Sequence, residues 1–472
     1  MGLIDTIKNR LFVYDAAQNS PRRRSRSVNL KSEDTILPQS QRRKLVSTTR
    51  DLQRNFALAA WAIRKHLDYV SSFNFQSHIE GEPKLNKQIE DLMTWWARPW
   101  NVDVAARHPL RRMIRILEAK RCVDGDVFLI KLSSGKLQAI EGDKVRNPSI
   151  NTPPGHNPDQ WVQGVKVTKA GRATKYLICE RNKQGGFRYK SEIPAKYVLQ
   201  HAFWDRFDQV RGVSPIAAAL NSFGDVSENV EYALAKAKVA QMFALTFTTE
   251  SSLDFGAQGD QPLDKYGNPK TPYQIHFDKG PQFLDLDPGD KAEFLESNQP
   301  SSQFADFMQQ VIALSLKSLD LPYSFHDESF TNFFGSRAAM MQYLKSCKSK
   351  RADLQEILDR ITFWRINLFI QDGLLKLPRN FPLDNLKWDW VPDGVPWWDP
   401  NKDLKADVGA VAAGFETRSD VVRRRTGKDF RDVARSLKEE QDFINELGVA
   451  LTAPTGEIFN PEAVAPSQEQ NN

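Results

Sequence analysis

The sequence predicts an α+β protein built in several parts, and three observations carry that expectation. Strand-like alternation is confined to about residues 123–189, with helical periodicity on either side of it. Hydrophobic residues make up 40% of the 472, enough for real cores, and this length suggests about three domains. Finally, residues 301–371 read as helix, loop, helix, and the second helix runs without Gly or Pro for about 36 residues, roughly 54 Å at 1.5 Å per residue. Most globular helices are about a third as long.

Residues 1–44 read as an arm. Leu3, Ile4, Ile7 and Leu11 line one face of a short helix, and Pro21 to Ser27 is a basic low-complexity run. Its Arg22, Arg23, Arg24 and Arg26 either contact phosphates or belong to a solvated, disordered tail. Residues 45–213 form the α+β domain. A helix over 50–70 carries Leu52, Phe56, Ala59, Ala60, Ile63 and Leu67 at helical spacing. A second covers 85–100, ending near Pro99, and a third follows Pro109 over 110–121. Strands are expected at 123–132, 138–140, 163–168, 175–180 and 186–189, with turns at Ser133-Ser134-Gly135 and Lys183-Gln184-Gly185-Gly186 and a loop at 148–158.

Ser214 as N-cap and Pro215 at the first position open a helix over 214–247, rich in alanine. Residues 248–299 lose that periodicity, hold several Gly and Pro, and read as a small β-rich module inserted between two helices. The second of these, 300–321, carries Phe304, Phe307, Met308, Val311, Ile312, Ser315 and Leu319, returns along the first, and stops at Leu321-Pro322. An aromatic loop over 322–335 contains Asp327, Glu328 and Asn332, and Gly335-Ser336 opens the long helix over 336–372. The remainder, 373–455, holds a strand at 387–391 and helices at 402–413, 418–426 and 429–447, and 456–472 is a polar tail that reads as disordered.

Composition narrows the function. Cys122, Cys179 and Cys347 are odd in number and far apart, which argues against a disulfide framework. No run approaches the roughly 20 apolar residues of a membrane span, and the first residues lack a secretory pattern. Net charge is +6, a small excess over 59 acidic residues, compatible with a nucleic-acid partner. Thr426-Gly427-Lys428 hints at a phosphate loop, but the glycine needed five residues earlier is Val422. Gly212-Val213-Ser214 is half a nucleophile elbow, and Ile216 stands where its second glycine belongs. The seven histidines show no zincin pairing, and the cysteines lack metal spacing. Asp124, Asp126 and Glu141 could cluster around a metal, or sit in glycine-containing turns beside strands. Neither an enzyme nor a cofactor is expected.

Several runs resemble the portal proteins of lambda-type tailed bacteriophages. They are Asp124-Gly125-Asp126-Val127-Phe128, then Leu137 to Val145 (LQAIEGDKV), Ile193 to His201 (IPAKYVLQH) and Gln209 to Pro215 (QVRGVSP). Arg50-Asp51-Leu52 with Arg54-Asn55 fits early in the chain. Trp390-Val391-Pro392, Asp399-Pro400-Asn401-Lys402, Ala406, Gly414 and Gly427-Lys428-Asp429 fit late. The matches are ordered and run from about residue 45 to 445. One departure is Ser71-Ser72-Phe73, where the family usually has glycines.

The resemblance implies a portal-type fold in a cyclic homo-oligomeric ring, twelve-fold in family members assembled in capsids, at one capsid vertex of the virion and assembled in the host cytoplasm. Residues 45–213 would be the wing. Residues 214–247 and 300–321 would be the stem, with the clip at 248–299. Residues 322–335 would be the tunnel loop, supported by the long helix, and 373–455 a return strand and helical crown. The partners implied are double-stranded DNA, the terminase large subunit, the major capsid and scaffold proteins, and a head-tail connector or adaptor, with no membrane. Phe325, His326, Asp327, Glu328, Ser329, Phe330, Thr331, Asn332 and Phe333 would face the DNA channel, where the absence of Lys and Arg favours sliding. Packing against neighbouring helices is the competing role for the aromatic residues. A monomeric basic nucleic-acid-binding protein using its arginine-rich arm is the alternative function, and a nuclease using Asp124, Asp126 and Glu141 a third.

Overall fold

A computed structural model describes residues 31–153, 157, 160–242, 245–249, 290–294, 302–327, 332–394 and 399–447. Among the described residues, helices are mixed with four small sheets. After a single helical turn, Glu33–Ile36, come α1 (Gln39–Asn55) and α2 (Ala57–Val70), where the periodicity suggests one helix beginning at 50. Phe56 separates them in an extended conformation, φ −116° and ψ 111°. Its ring lies edge-on to Phe223, 6.1 Å between centroids, so a tertiary contact accompanies the break. Then come β1 (Phe73–Ser77), α3 (Pro83–Trp96) and α4 (Leu110–Asp124). The strand expected from residue 123 begins only at Asp126, because α4 continues to Asp124 and ends on Gly125 at φ +89°.

Two antiparallel sheets follow. The first has the order β3-β2-β8, from β2 (Asp126–Lys131), β3 (Leu137–Glu141) and β8 (Val198–Ala202). The second is a meander of β4 (Trp161–Val162), β5 (Val165–Val167), β6 (Ala173–Arg181) and β7 (Phe187–Pro194). The single strand expected at 163–168 is a hairpin instead. Gln163 and Gly164 both have positive φ, +47° and +87°, the condition for a tight two-residue turn, and Val162 pairs with Val165. β2 is buried on both faces: Val127 and Leu129 join one hydrophobic cluster, and Phe128 and Ile130 another between the sheets.

Ser214 does cap the next segment, its Oγ accepting from the Ile216 N–H at 3.2 Å and donating to the Cys122 carbonyl at 2.5 Å. Residues Pro215–Ala219 make a 3₁₀ turn before α5 (Leu220–Met242). α5 packs along α6 (Ser302–Leu316), and between them β9 (Leu245–Thr249) pairs antiparallel with β10 (Asp290–Phe294). Most of the module expected at 248–299 lies outside the described residues, as do the arm up to residue 30 and the tail from 448.

The long helix is α7 (Phe333–Gln371), 39 residues. Its upper part places Tyr343 and Cys347 in a cluster with α2, the end of α4 and Leu316, Leu319 and Leu321. Its lower part places Leu354, Ile357, Leu358, Ile361, Ile366 and Phe369 in the cluster under α3, α4 and β2. One helix therefore runs through two cores. β11 (Trp388–Pro392) returns to pair with β1, and the Trp390 indole N–H donates to Thr362 Oγ1 of α7 at 3.0 Å. The chain then forms α8 (Pro400–Ala412), α9 (Arg418–Thr426) and α10 (Phe430–Leu447). Gly427, the centre of the dismissed phosphate loop, caps α9.

A buried arginine ties the strand domain to the helix that follows it. Arg211 is 2% exposed, and all five of its guanidinium N–H groups have acceptors. Nε and Nη2 fork onto Asp126 at 2.6 and 3.0 Å, Nη1 reaches the carbonyls of Val145 and Gln163 at 2.6 Å each, and Nη2 also reaches Gly142 at 2.7 Å. Arg42 adds a second cation at 3.0 Å from Asp126. Burial alone would raise the Asp126 pKa; Arg211 and Arg42 outweigh it and hold the carboxyl below its usual range. Beside this fork Gly125 and Gly212 cross in backbone contact. A Cβ on Gly212 would stand 2.1 Å from the Gly125 oxygen, and one on Gly125 2.6 Å from the Gly212 oxygen. Arg211→Met, which leaves Asp126 short of its main partner, is expected to cost about 3–5 kcal/mol in denaturant unfolding. Arg181→Met, where the half-exposed guanidinium pairs with Glu141 and Asp143 and Arg50 remains on both carboxylates, is expected to cost under about 1 kcal/mol.

Candidate functional site: the loop ahead of the long helix

The loop is shaped by how the helices on either side end. α6 passes into a 3₁₀ turn, Lys317–Leu319, and Asp320 takes a left-handed conformation, φ +60°. That turns the chain back, and the Leu321 N–H donates to the Leu316 carbonyl at 3.1 Å. The Asp320 carboxylate is pinned to α7 by Ser346 Oγ at 2.6 Å and Lys350 Nζ at 2.7 Å, one helical turn apart, and Lys350 also donates to the Leu319 carbonyl at 2.9 Å. Burial opposes the charge on Asp320, but the Lys350 and Ser346 hydrogen bonds outweigh it and its pKa is lowered. After Pro322 a second 3₁₀ turn, Tyr323–Phe325, brings Phe325 against Tyr69 and Tyr343, with centroids at 5.7 and 5.3 Å. At the far end Asn332 caps α7, its Oδ1 accepting from the Gly335 N–H at 2.7 Å. The cap stands a turn earlier than the Gly335-Ser336 start expected from the sequence, and sequence spacing could have found it.

The residues expected to face a channel therefore have different settings. Phe325 is half-buried in a ring cluster. His326 is exposed, its ring edge-on to Trp61 and Tyr323 at 5.8 and 5.6 Å. Asp327 is half-buried, Asn332 serves as the cap, and Phe333 is 45% exposed, edge-on to Phe334. Glu328, Ser329, Phe330 and Thr331 lie outside the described residues, and so do Arg22, Arg23, Arg24 and Arg26.

Beneath the loop lies a buried ionic network that sequence reading missed. Glu118 on α4 takes Arg121 Nε and Nη2 at 2.8 Å each, His66 Nε2 at 2.8 Å and His201 Nε2 at 3.1 Å. Arg121 continues to Asp353 of α7 at 3.0 Å. Burial alone would raise the Glu118 pKa, but Arg121 and the two histidines hold it well below the carboxylate range. Burial lowers both histidines, and Glu118 only partly offsets it. Ligand atoms of His66, Glu118 and Cys122 come within 4.8 Å of one another. Arg121 occupies both Glu118 oxygens, and burial raises the Cys122 thiol well above its usual value, so this is a charge network rather than a metal centre.

The carboxylate cluster considered for a nuclease has the same fate. Asp126 is forked by Arg211, Asp124 accepts from Arg50 Nε at 2.7 Å, and Glu141 faces Arg181 at 2.8 Å. Guanidiniums stand where a metal would have to sit, which corrects that reading.

The comparisons with known proteins decide the class. A family model described as "Phage portal protein, lambda family" matches residues 19–351. The chain belongs to that family of phage portal proteins. The family is structural rather than enzymatic. A probable portal protein of Halomonas phage phiHAP-1 is 24% identical over 388 residues, covering 77% of this chain and 72% of that protein. Among solved structures, the neck of an empty gene transfer agent particle computed with C6 symmetry matches with TM-score 0.49 and 12% identity, over 79% of this chain and 92% of that one. The neck of the native particle computed with C12 symmetry matches with TM-score 0.45 and 15% identity over the same shares. Among the described residues no helix is long and apolar enough to cross a membrane.

Two outcomes test this geometry. Asn332→Ala is expected to cost about 1 kcal/mol, seen as roughly fivefold faster amide exchange at Gly335 and Ser336 with Tyr343 onward still protected. The buried histidines set an acid limb. Their folded pKa values lie below the usual 6.5, so the unfolded chain binds more protons as pH falls below 6.5, and stability is lost in that direction. Each pKa unit of depression corresponds to about 1.4 kcal/mol. Melting temperature is therefore expected to drop between pH 7.5 and 5.5, and to drop less in His66→Gln.

Proposed function

We propose that this portal-family chain closes into a homo-oligomeric ring, twelve-fold in the capsid, at one vertex of a phage virion. There it conducts double-stranded DNA inward during packaging and outward during ejection. Assembly in the host cytoplasm with the major capsid and scaffold proteins, docking of the terminase large subunit and later binding of a head-tail connector belong to the same reading. The helix pair α5/α6 is the stem, the β9–β10 ribbon leads into the clip, and α8 to α10 form the crown.

The observation that carries the proposal is the family match, joined to the construction of the loop. Its two ends are pinned to α7, at Asp320 and at Asn332. Between them residues 325–333 contain His326, Asp327 and Glu328 but no Lys or Arg. A conduit must pass any sequence, so its contacts go to shape and phosphate rather than to base edges. It must also release what it holds, and clustered cations would add counterion-release affinity that resists sliding. In this reading Phe325 anchors the loop, Asn332 and Phe333 frame its exit, and His326, Asp327, Glu328, Ser329, Phe330 and Thr331 meet the DNA.

The test is the double substitution Asp327→Lys with Glu328→Lys. Native mass spectrometry and negative-stain imaging are expected to show rings like those of the parent, while packaged or retained DNA per particle falls severalfold. Normal packaging and retention by the double variant would sink the sliding-loop assignment, and a chain that never closes in the presence of capsid and scaffold would sink the ring.

A further inference from the structure

A cleft of about 350 Å³ lies between α1 and the β6–β7 hairpin, away from the loop. One wall is α1: Arg43, Ser47, Arg50 and Arg54 recur at steps of four, three and four residues, and Asp51, which accepts from Asn55, is the one carboxylate this helix adds to the lining. The opposite wall carries Arg146 and the Phe187 ring. Part of this positive charge is neutralised internally, since Arg50 is held by Asp124 and Asp143, and Arg181 by Asp143 and Glu141.

Three guanidiniums are left over. Among the described residues Arg43, Arg54 and Arg146 have no carboxylate partner, and Arg43 donates only to the Gly185 carbonyl, at 3.2 Å. Arg146 lies 4.1 Å above the centroid of Phe187, and Arg43 approaches the same ring at 6.0 Å. The Arg146 Nε is buried with no hydrogen-bond partner. Burial, then the charge of Arg43, lower the Arg146 pKa, and the Asp143 carboxylate, already shared by Arg50 and Arg181, only partly offsets them. Like charges converging on one ring, with a buried donor unused, repel unless an anion lies between them.

We propose that this cleft binds a phosphate-bearing anion, held by Arg43, Arg54 and Arg146. Guanidinium forks match phosphate oxygens in geometry and charge. The volume is at the lower end of small-ligand pockets, room for a diphosphate or the terminal phosphate of a strand, while a duplex is too wide to enter. The shared chemistry is the phosphate group, and its source is either a free phosphate compound or a nucleic-acid strand end.

The experiment is calorimetric titration of the full chain, at physiological salt, with inorganic pyrophosphate, with a 5′-phosphorylated dinucleotide and with its 5′-hydroxyl counterpart. Pyrophosphate binding identifies a free anion as the source. Binding of the phosphorylated but not the hydroxyl dinucleotide identifies a strand end. In either case Arg54→Ala and Arg146→Met are expected to weaken binding about tenfold or more, with the Arg54→Ala melting temperature unchanged. If Arg146→Met does not fold, Arg54→Glu, at an exposed helix position, carries the test. No binding of any probe, equal binding of the two dinucleotides without pyrophosphate binding, or binding unchanged by the substitutions overturns the proposal.

Discussion

The fork between Arg211 and Asp126 is the constraint on which the rest of the structure depends. A guanidinium that deep is tolerated only when every donor is matched, and here the acceptors come from four places in the chain: Asp126, Gly142, Val145 and Gln163. The contact fixes the start of β2, the turn after β3 and the tight turn of the β4–β5 hairpin together. It also fixes what comes next. The Gly212 N–H donates to Asp126 at 3.3 Å, and Ser214 reaches back to Cys122. The helix pair therefore leaves the strand domain from a rigid joint. Gly125 and Gly212 complete that joint, because no side chain fits where their backbones cross.

The second organising element is α7. A 39-residue helix with one continuous core would need a long apolar stripe, yet its buried residues fall into two groups facing two different clusters. The polar residues in and after the first group are used as well: Ser346 and Lys350 hold Asp320, Asp353 meets Arg121, and Arg351 Nε donates to the Tyr69 carbonyl at 2.8 Å. The helix thus supports the loop at its N-terminus and carries that support down to the buried Glu118 network. The loop's aromatic residues divide accordingly: Phe325 has packing partners within the chain, while His326 is exposed beside Trp61 and Tyr323.

Much of this was legible in the sequence. The strong periodicities placed α3 to α10, and Ser214-Pro215 carries the cap chemistry its position requires, whereas the start of α7 was expected at Gly335-Ser336 and its cap is Asn332. The ordered runs quoted for the portal resemblance agree with the family that the comparisons found. What failed were short or context-bound elements. Phe73–Ser77 and Val198–Ala202 are each five residues long, and they become strands only because β11 and β2 offer edges to pair with. Gln163-Gly164 looked like the first residues of a strand, and only their backbone angles show a turn.

The sequence by itself determined the α+β class, the helical periodicities, the long unbroken helix and the aromatic loop ahead of it that carries no Lys or Arg, since these follow from local spacing, Gly and Pro placement and residue type. Which carboxylate meets which cation was decided only by tertiary structure. Asp124, Asp126 and Glu141 read first as carboxylates in structural turns, with a metal site the lesser reading, and only the arrival of Arg50, Arg211 and Arg181 from distant parts of the chain names their partners. The leftover Arg43, Arg54 and Arg146 emerge the same way, because a net charge of +6 gives no sign of which cations remain unpaired. Ion pairing and burial depend on distances between residues far apart in sequence, and those distances exist only once the chain has folded.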